Sequence, residues 1–298
     1  MKKAFKLLSL LIALTLFAIF TLGSAAEAVF AKGIDVSYWQ SYYKGVYKQI
    51  DFDAVKADGN DFVIMRIGTS YGPDSTFNTN YQNAKKAGLD VGCYFYTYAK
   101  TSEESLKDAK SVVEWLGNRK FEYPVYFDIE DSSLESLSKS EKMAICDSFV
   151  SYVSQAGYLV GIYCNPNWLK NHLDTEYVKA NYDIWLANWT NSGEPDVDKS
   201  ADCRMWQYSA KGVVSGISGE VDMDVSYFDY PSYIKDNGLN NYPAPSQSDP
   251  DPDDPDPSTG EPETGNNDDL KFEEQISILK KIMKIVLEVV KKIASLLN

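Results

Sequence analysis

The sequence predicts an α/β fold, a parallel sheet closed into a barrel whose last part is stripped of helices. Three observations predict it. From Lys32 to about Asn241, short apolar runs alternate with helical stretches, the signature of parallel strands joined by crossover helices. Gly88 and Gly157 each stand between a helical stretch and the next apolar run, where glycine ends a helix. Eight strand-like runs fall within residues 32–241, which suits a closed barrel.

Taken in order, a strand at 33–37 and a short helix at 52–57 open the pattern. A strand at 62–67 precedes a helix at 79–87, and a strand at 91–98 precedes a helix at 102–116. The fourth strand, 123–130, leads to a helix at 138–155, and the fifth, 159–164, to a short helix at 168–172. The runs at 184–189, 204–208 and 221–225 then follow without long helices between them.

The two ends read as appendages. Lys2, Lys3 and Lys6 precede an apolar run at 7–22 and the small residues Gly23, Ser24, Ala25 and Ala26. That is the form of a secretory signal, here 1–26 with cleavage after Ala26 or Ala28, so the working domain at 32–241 is expected outside the cytoplasm. An uncleaved anchor is the alternative. Residues 242–269 are proline-rich, with nine acids and no bases between Ser246 and Asp269, and read as an extended, self-repelling spacer. Residues 270–298 read as a helix in which Phe272, Ile276, Leu279, Met283, Val286, Val290, Ile293 and Leu297 form a heptad seam. Self-association as a coiled coil, contact of its lysine face with an anionic membrane or wall polymer, and packing on the barrel all remain open.

Composition narrows the function. The net charge is −14, which disfavours nucleic acid as a partner. Cys93, Cys146, Cys164 and Cys203 are widely spaced without a C-x-x-C pair; they read as buried free thiols, though export would permit disulfides. His172 is the single histidine, in a polar stretch that reads as surface. A zinc hydrolase usually needs two or more imidazole ligands, and a Ser-His-Asp hydrolase needs its histidine positioned against a nucleophile rather than on a polar surface. The chemistry this chain can support is carboxylate chemistry, with no metal and no cofactor.

The most informative residues are Asp128 and Glu130, ending the apolar run Tyr-Pro-Val-Tyr-Phe-Asp-Ile-Glu. In a strand, residues i and i+2 face the same side. Two carboxylates held together do not both ionise easily, so one keeps its proton near neutral pH. A protonated acid beside an ionised one is what glycosidic bond cleavage uses. The plainer alternative is an acidic strand end capping a nearby loop. Barrel closure favours the sharper reading. It would bring Asp35 at the end of the first strand and Asp222 in the last to the same mouth. Tyr94, Tyr96, Tyr163, Trp185 and Trp206 lie in these segments; their faces could stack on sugar rings, or fill an aromatic-rich core in a chain with 21 tyrosines.

The segments Lys-Gly-Ile-Asp-Val-Ser-Tyr-Trp-Gln (32–40), Pro-Val-Tyr-Phe-Asp-Ile-Glu (124–130), Gly-Ile-Tyr-Cys-Asn (161–165), Ile-Trp-Leu-Ala-Asn-Trp (184–189), Met-Trp-Gln-Tyr (205–208) and Val-Asp-Met-Asp (221–224) resemble, in order, those of the glycoside hydrolase family 25 muramidases. The resemblance implies a modified TIM-type (β/α)5β3 barrel that cleaves the β-1,4 link from N-acetylmuramic acid to N-acetylglucosamine in bacterial peptidoglycan. It implies Glu130 as general acid, Asp128 as the assisting carboxylate, Asp35 and Asp222 as further acids, and Gln207 beside the aromatics as a substrate contact. Phe95 stands where many members carry histidine, a departure that bears on one wall of the sugar site. A chitinase-like enzyme would show Asp-x-Asp-x-Glu on the fourth strand, where this chain has Tyr126. A non-catalytic wall-binding module is the rival of another class; burying four carboxylates for binding alone is unfavourable.

Overall fold

The computed structural model describes residues 29–244. The signal expected at 1–26, nearly all of the spacer expected at 242–269 and the helix expected at 270–298 lie outside the described residues.

Eight strands close the barrel: β1 Ala31–Val36, β2 Phe62–Thr69, β3 Asp90–Tyr96, β4 Val125–Asp128, β5 Val160–Cys164, β6 Asp183–Ala187, β7 Met205–Gly212 and β8 Val221–Ser226. Neighbours pair in chain order, and β1 bonds to both β2 and β8. A further short strand, Gly72–Pro73, folds back on β2. The helices α1 Phe52–Ala57, α2 Phe77–Lys86, α3 Ser102–Leu116, α4 Lys139–Gln155 and α5 Thr175–Asn181 each follow one of the first five strands, and α6 Tyr230–Asp236 follows the last. The expected arrangement of five βα units and three further strands is present.

Local chemistry sets the element ends. Thr101 accepts a hydrogen bond from the Glu104 amide at the start of α3. Ser138 and Glu141 cap one another's backbone at the start of α4, satisfying donors the first turn leaves open. Gly88 and Gly157, expected as helix stops, adopt positive φ of 76° and 90°. The sequence shows no clear signal for α5, a seven-residue helix.

Strand alternation produces two apolar layers. Outward-facing Ile34, Val36, Met65, Cys93, Phe95 and Phe127 pack under the helices. Inward-facing Phe62, Ile64, Tyr126, Tyr163, Trp185 and Met205 fill the barrel, and α6 adds Tyr230 and Ile234 to that inner layer. Glycine makes room for the large rings: a Cβ on Gly33 would lie 2.5 Å from the Phe62 ring, and one on Gly161 2.6 Å from that of Tyr126. Small beside large is how a narrow barrel fills its interior.

The structure corrects several expectations. β8 is not parallel to its neighbours but antiparallel to both β7 and β1. The connection between β7 and β8 spans only residues 213–220, too short for a parallel crossover but ample for a hairpin. Phe95 faces the helices, 5.7 Å from the Phe149 ring, so it forms no wall of a sugar site. Its neighbours Tyr94 and Tyr96 point the other way, as the period of two requires. His172 is half-buried, its ring 4.6 Å from that of Trp168 and its Nδ1 3.3 Å from Lys142 Nζ, rather than free on the surface. All four cysteines are buried and unbridged.

Candidate active site

Strand register assembles the acids from distant parts of the chain. Asp35, next to last in β1, pairs with Asp222 of β8. Asp128, the last residue of β4, lies between Tyr96 of β3 and Tyr163 of β5. Glu130 follows just past the strand. Because β8 runs backwards, its early residue Asp222 reaches the rim where the parallel strands end. The buried Tyr163 hydroxyl reports the convergence: burial raises its pKa, and the charges of Glu130, Asp128, Asp35 and Asp222 raise it further. The structure therefore brings all four predicted acids around one aromatic side chain.

Their environments differ. Asp128 is 3% exposed, and its Oδ1 has no hydrogen-bond partner among the described residues. Burial, then the neighbouring Glu130, pushes its carboxyl well above the usual range, against the pull of Arg66. Glu130 is half-buried. Burial raises its pKa while the Asn165 amide, donating to Oε2 at 2.9 Å, opposes the shift. Asp35 is buried and accepts from Gln207 Nε2 at 2.7 Å; burial raises it strongly, followed by the charges of Asp222 and Asp224. Asp222, half-buried, is pushed up to about 6 by burial. The site thus holds carboxyls that keep protons at pH values where ordinary ones have lost them.

The remaining predicted contacts divide by depth. Tyr94 and Tyr96 are half-buried on the inner face; Tyr96 donates to Asp131 Oδ2 at 2.9 Å. Trp185 is a floor, 1% exposed, with the rings of Tyr163, Tyr126 and Tyr94 at 4.4, 5.2 and 5.9 Å. Gln207 is buried as a hub: its Oε1 accepts from Tyr163 and from Trp189 Nε1, and its Nε2 holds Asp35. Trp206 does not join them. It is fully buried in the layer outside the barrel and donates to the Asn188 carbonyl, because its neighbour Gln207 takes the inward position.

Three neighbours of these acids were missed in the sequence. Arg66 sits on the inner face of β2, tied to Asp74 Oδ2 through Nε at 3.0 Å and Nη2 at 2.8 Å, and its charge bears on Asp128. A lone arginine in the apolar run Phe-Val-Ile-Met-Arg-Ile was the available signal. Asn165, one residue past β5, orients Glu130. Asp224 shares the face of Asp222 by the same i, i+2 spacing; it is fully buried, accepts from Trp185 Nε1 at 2.8 Å, and leaves Oδ2 without a donor among the described residues. Burial raises its pKa strongly. Asp35 and Asp224 bear on one another's titration, and burial is the chief cause that holds each carboxyl above the usual range.

A barrel whose mouth holds paired, proton-retaining carboxyls belongs to the class of folds that carry acid–base chemistry at strand ends. The sequence profile of Glycosyl hydrolases family 25 matches residues 34–217, and the chain belongs to that family. It is 30% identical over 198 residues to the autolytic lysozyme of Clostridium acetobutylicum, covering 65% of this chain and 55% of that protein. It is 28% identical over 208 residues to Lysozyme M1 of Streptomyces globisporus, covering 66% of this chain and 68% of the relative. Among solved structures, the modular autolysin LytC of Streptococcus pneumoniae, in complex with a synthetic peptidoglycan ligand, superposes with a TM-score of 0.55. The two are 26% identical, over 65% of this chain and 46% of that one. The bacterial lysozyme of Streptomyces coelicolor gives 0.54 at 25% identity, over 71% and 97%. The chain thus spans about half the length of some relatives and nearly all of others.

Proposed function

We propose that this chain is an exported muramidase that hydrolyses the β-1,4 bond between N-acetylmuramic acid and N-acetylglucosamine in bacterial peptidoglycan. The observation that carries the reading is the pairing of a rim carboxyl, Glu130, raised by burial and steered by Asn165, with a deeper carboxyl, Asp128, beside Arg66. Family membership and the lysozymes and autolysins among the relatives support the substrate class. Glu130, protonated, donates to the leaving glycosidic oxygen and then, as carboxylate, takes a proton from the attacking water. Asp128, in the ionised form that the Arg66 charge favours, stabilises the positive charge that develops at the sugar and orients the substrate's own 2-acetamido group for attack, so the anomeric configuration is retained. Asp35 and Asp222 complete the acidic wall.

The rest of the chain fits a wall enzyme. Residues 1–26 would direct export, 242–269 would serve as a spacer, and 270–298 would self-associate or lie on an anionic membrane or wall polymer. Light scattering on the segment 266–298 separates the last two: oligomers without lipid support association, and a monomer that turns helical only with lipid supports the surface. The enzymatic reading is tested by clearing of a purified wall suspension. Wild type is expected to clear it and Glu130→Gln is not; equal clearing by both would falsify the assignment of Glu130. Anomer analysis by NMR tests the stereochemistry, with an inverted first product contradicting acetamido participation.

A further inference from the structure

Just past β1 the chain makes a small hairpin, Tyr42–Tyr43 against Val46–Tyr47. Lys44 and Gly45 turn it with φ of 50° and 78°, the doubly left-handed turn that suits a two-residue hairpin loop. Two short strands alone are marginally stable, yet this pair leaves its apolar side chains outside: Val46 is 68% exposed, Tyr47 46%, and Trp39 at its base 62%. A contiguous exposed patch of this kind marks a binding surface.

The position of the patch identifies its occupant. The Tyr38 ring lies 5.0 Å from the Arg66 guanidinium, whose charge acts on Asp128. From Tyr38 the rings continue outward to Trp39 at 4.2 Å and Tyr42 at 6.1 Å, then from Tyr42 to Tyr47 at 5.4 Å. The other side of the hairpin touches the turn before Asp222, where a Cβ on Gly219 would meet the Tyr43 ring at 3.3 Å. The aromatic series therefore begins at Arg66, on the inner face of β2, and ends at the hairpin. Tyrosine and tryptophan combine a flat apolar face with a polar edge, which matches a sugar ring with its hydroxyl rim.

We propose that the Tyr42–Tyr47 hairpin is an accessory glycan-binding surface that holds sugars of the same strand beyond those in the cleft. This rests on the muramidase reading for the identity of the glycan. Contacts made far from the scissile bond help only a substrate long enough to reach them, so the hairpin sets a preference for polymer over short fragments.

The test uses the full chain with Tyr42→Ser and Tyr47→Ser combined, and a companion with both changed to Phe, which keeps the rings. The ratio of kcat/KM on polymeric peptidoglycan to that on a soluble tetrasaccharide fragment is expected to fall about tenfold in the Ser pair. The Phe pair is expected to keep most of the wild-type ratio. Co-sedimentation of Glu130→Gln protein with insoluble glycan should fall in parallel when the Ser pair is added. An unchanged ratio in the Ser pair overturns the proposal, as does an equal loss in the Phe pair. Loss of sedimentation with phosphatidylglycerol vesicles in place of glycan also overturns it, in favour of a lipid surface. If wild type cuts no glycan yet the inactive protein still sediments through these rings, the muramidase reading fails and the hairpin surface stands.

Discussion

Two acid pairs with the same spacing, 128/130 at the end of β4 and 222/224 on β8, occupy the mouth in opposite senses. On β4 the first acid is deep and the second lies at the rim; Asp128 is buried and Glu130 half-buried. On β8 the first acid is at the rim and the second is deep; Asp222 is half-buried and Asp224 fully buried. Strand direction alone reverses the order, because β8 runs antiparallel to its neighbours. Identical local spacing therefore gives different chemistry. The β4 pair places its accessible acid beside Asn165 with an arginine behind it, whereas the β8 pair hands its deep acid to Trp185.

Substitutions at the four positions can break this comparison. Glu130→Gln is expected to have the largest effect, a fall of about a thousandfold in wall clearing, since general acid catalysis contributes roughly 10²–10⁴-fold. Asp128→Asn follows at about a hundredfold, with kcat falling more than KM changes, because it acts on charge that exists only in the transition state. A loss confined to KM would move Asp128 into substrate binding. Asp222→Asn is expected to cost about tenfold near neutral pH. With a pKa of about 6, Asp222 is ionised above that value, so kcat/KM in wild type rises through this region as pH increases. In the variant that rise should disappear, and its persistence would assign the inflection to another group.

Asp224→Asn should have the smallest effect and the opposite sign, on stability. The folded-state pKa of Asp224 lies above that of the unfolded chain. Its contribution is therefore fully present below the unfolded value of 3.8 and is lost as pH rises through the folded value. Asparagine removes that loss while still accepting from Trp185. A melting temperature higher by about 2–4 °C at about pH 8, with no gain near pH 4, is expected. An equal gain at both would mean that packing, not ionisation, changed.

Much of the fold was legible because the outer layer is periodic: the apolar runs and their helices alternate as parallel strands demand, and Gly88 and Gly157 end helices where the sequence places them. The direction of β8 was not legible in its own residues. Val-Asp-Met-Asp-Val reads the same either way, and only the short connection at 213–220 betrays the reversal. Asp35, Asp128, Glu130 and Asp222 could be picked out because acids at the ends of apolar runs are conspicuous. Trp206 was misplaced, and Gln207 was read as a substrate contact rather than a buried hub, because neighbouring residues in a strand face opposite ways and composition does not say which faces in. The hairpin at 42–47 left no apolar run long enough to register as a strand.

Digestion of purified peptidoglycan followed by mass spectrometry of the fragments reports most directly on what the carboxyl pair at 128 and 130 does. New reducing ends on N-acetylmuramic acid are predicted. Reducing ends on N-acetylglucosamine, or cuts confined to the peptide stems, would contradict the account.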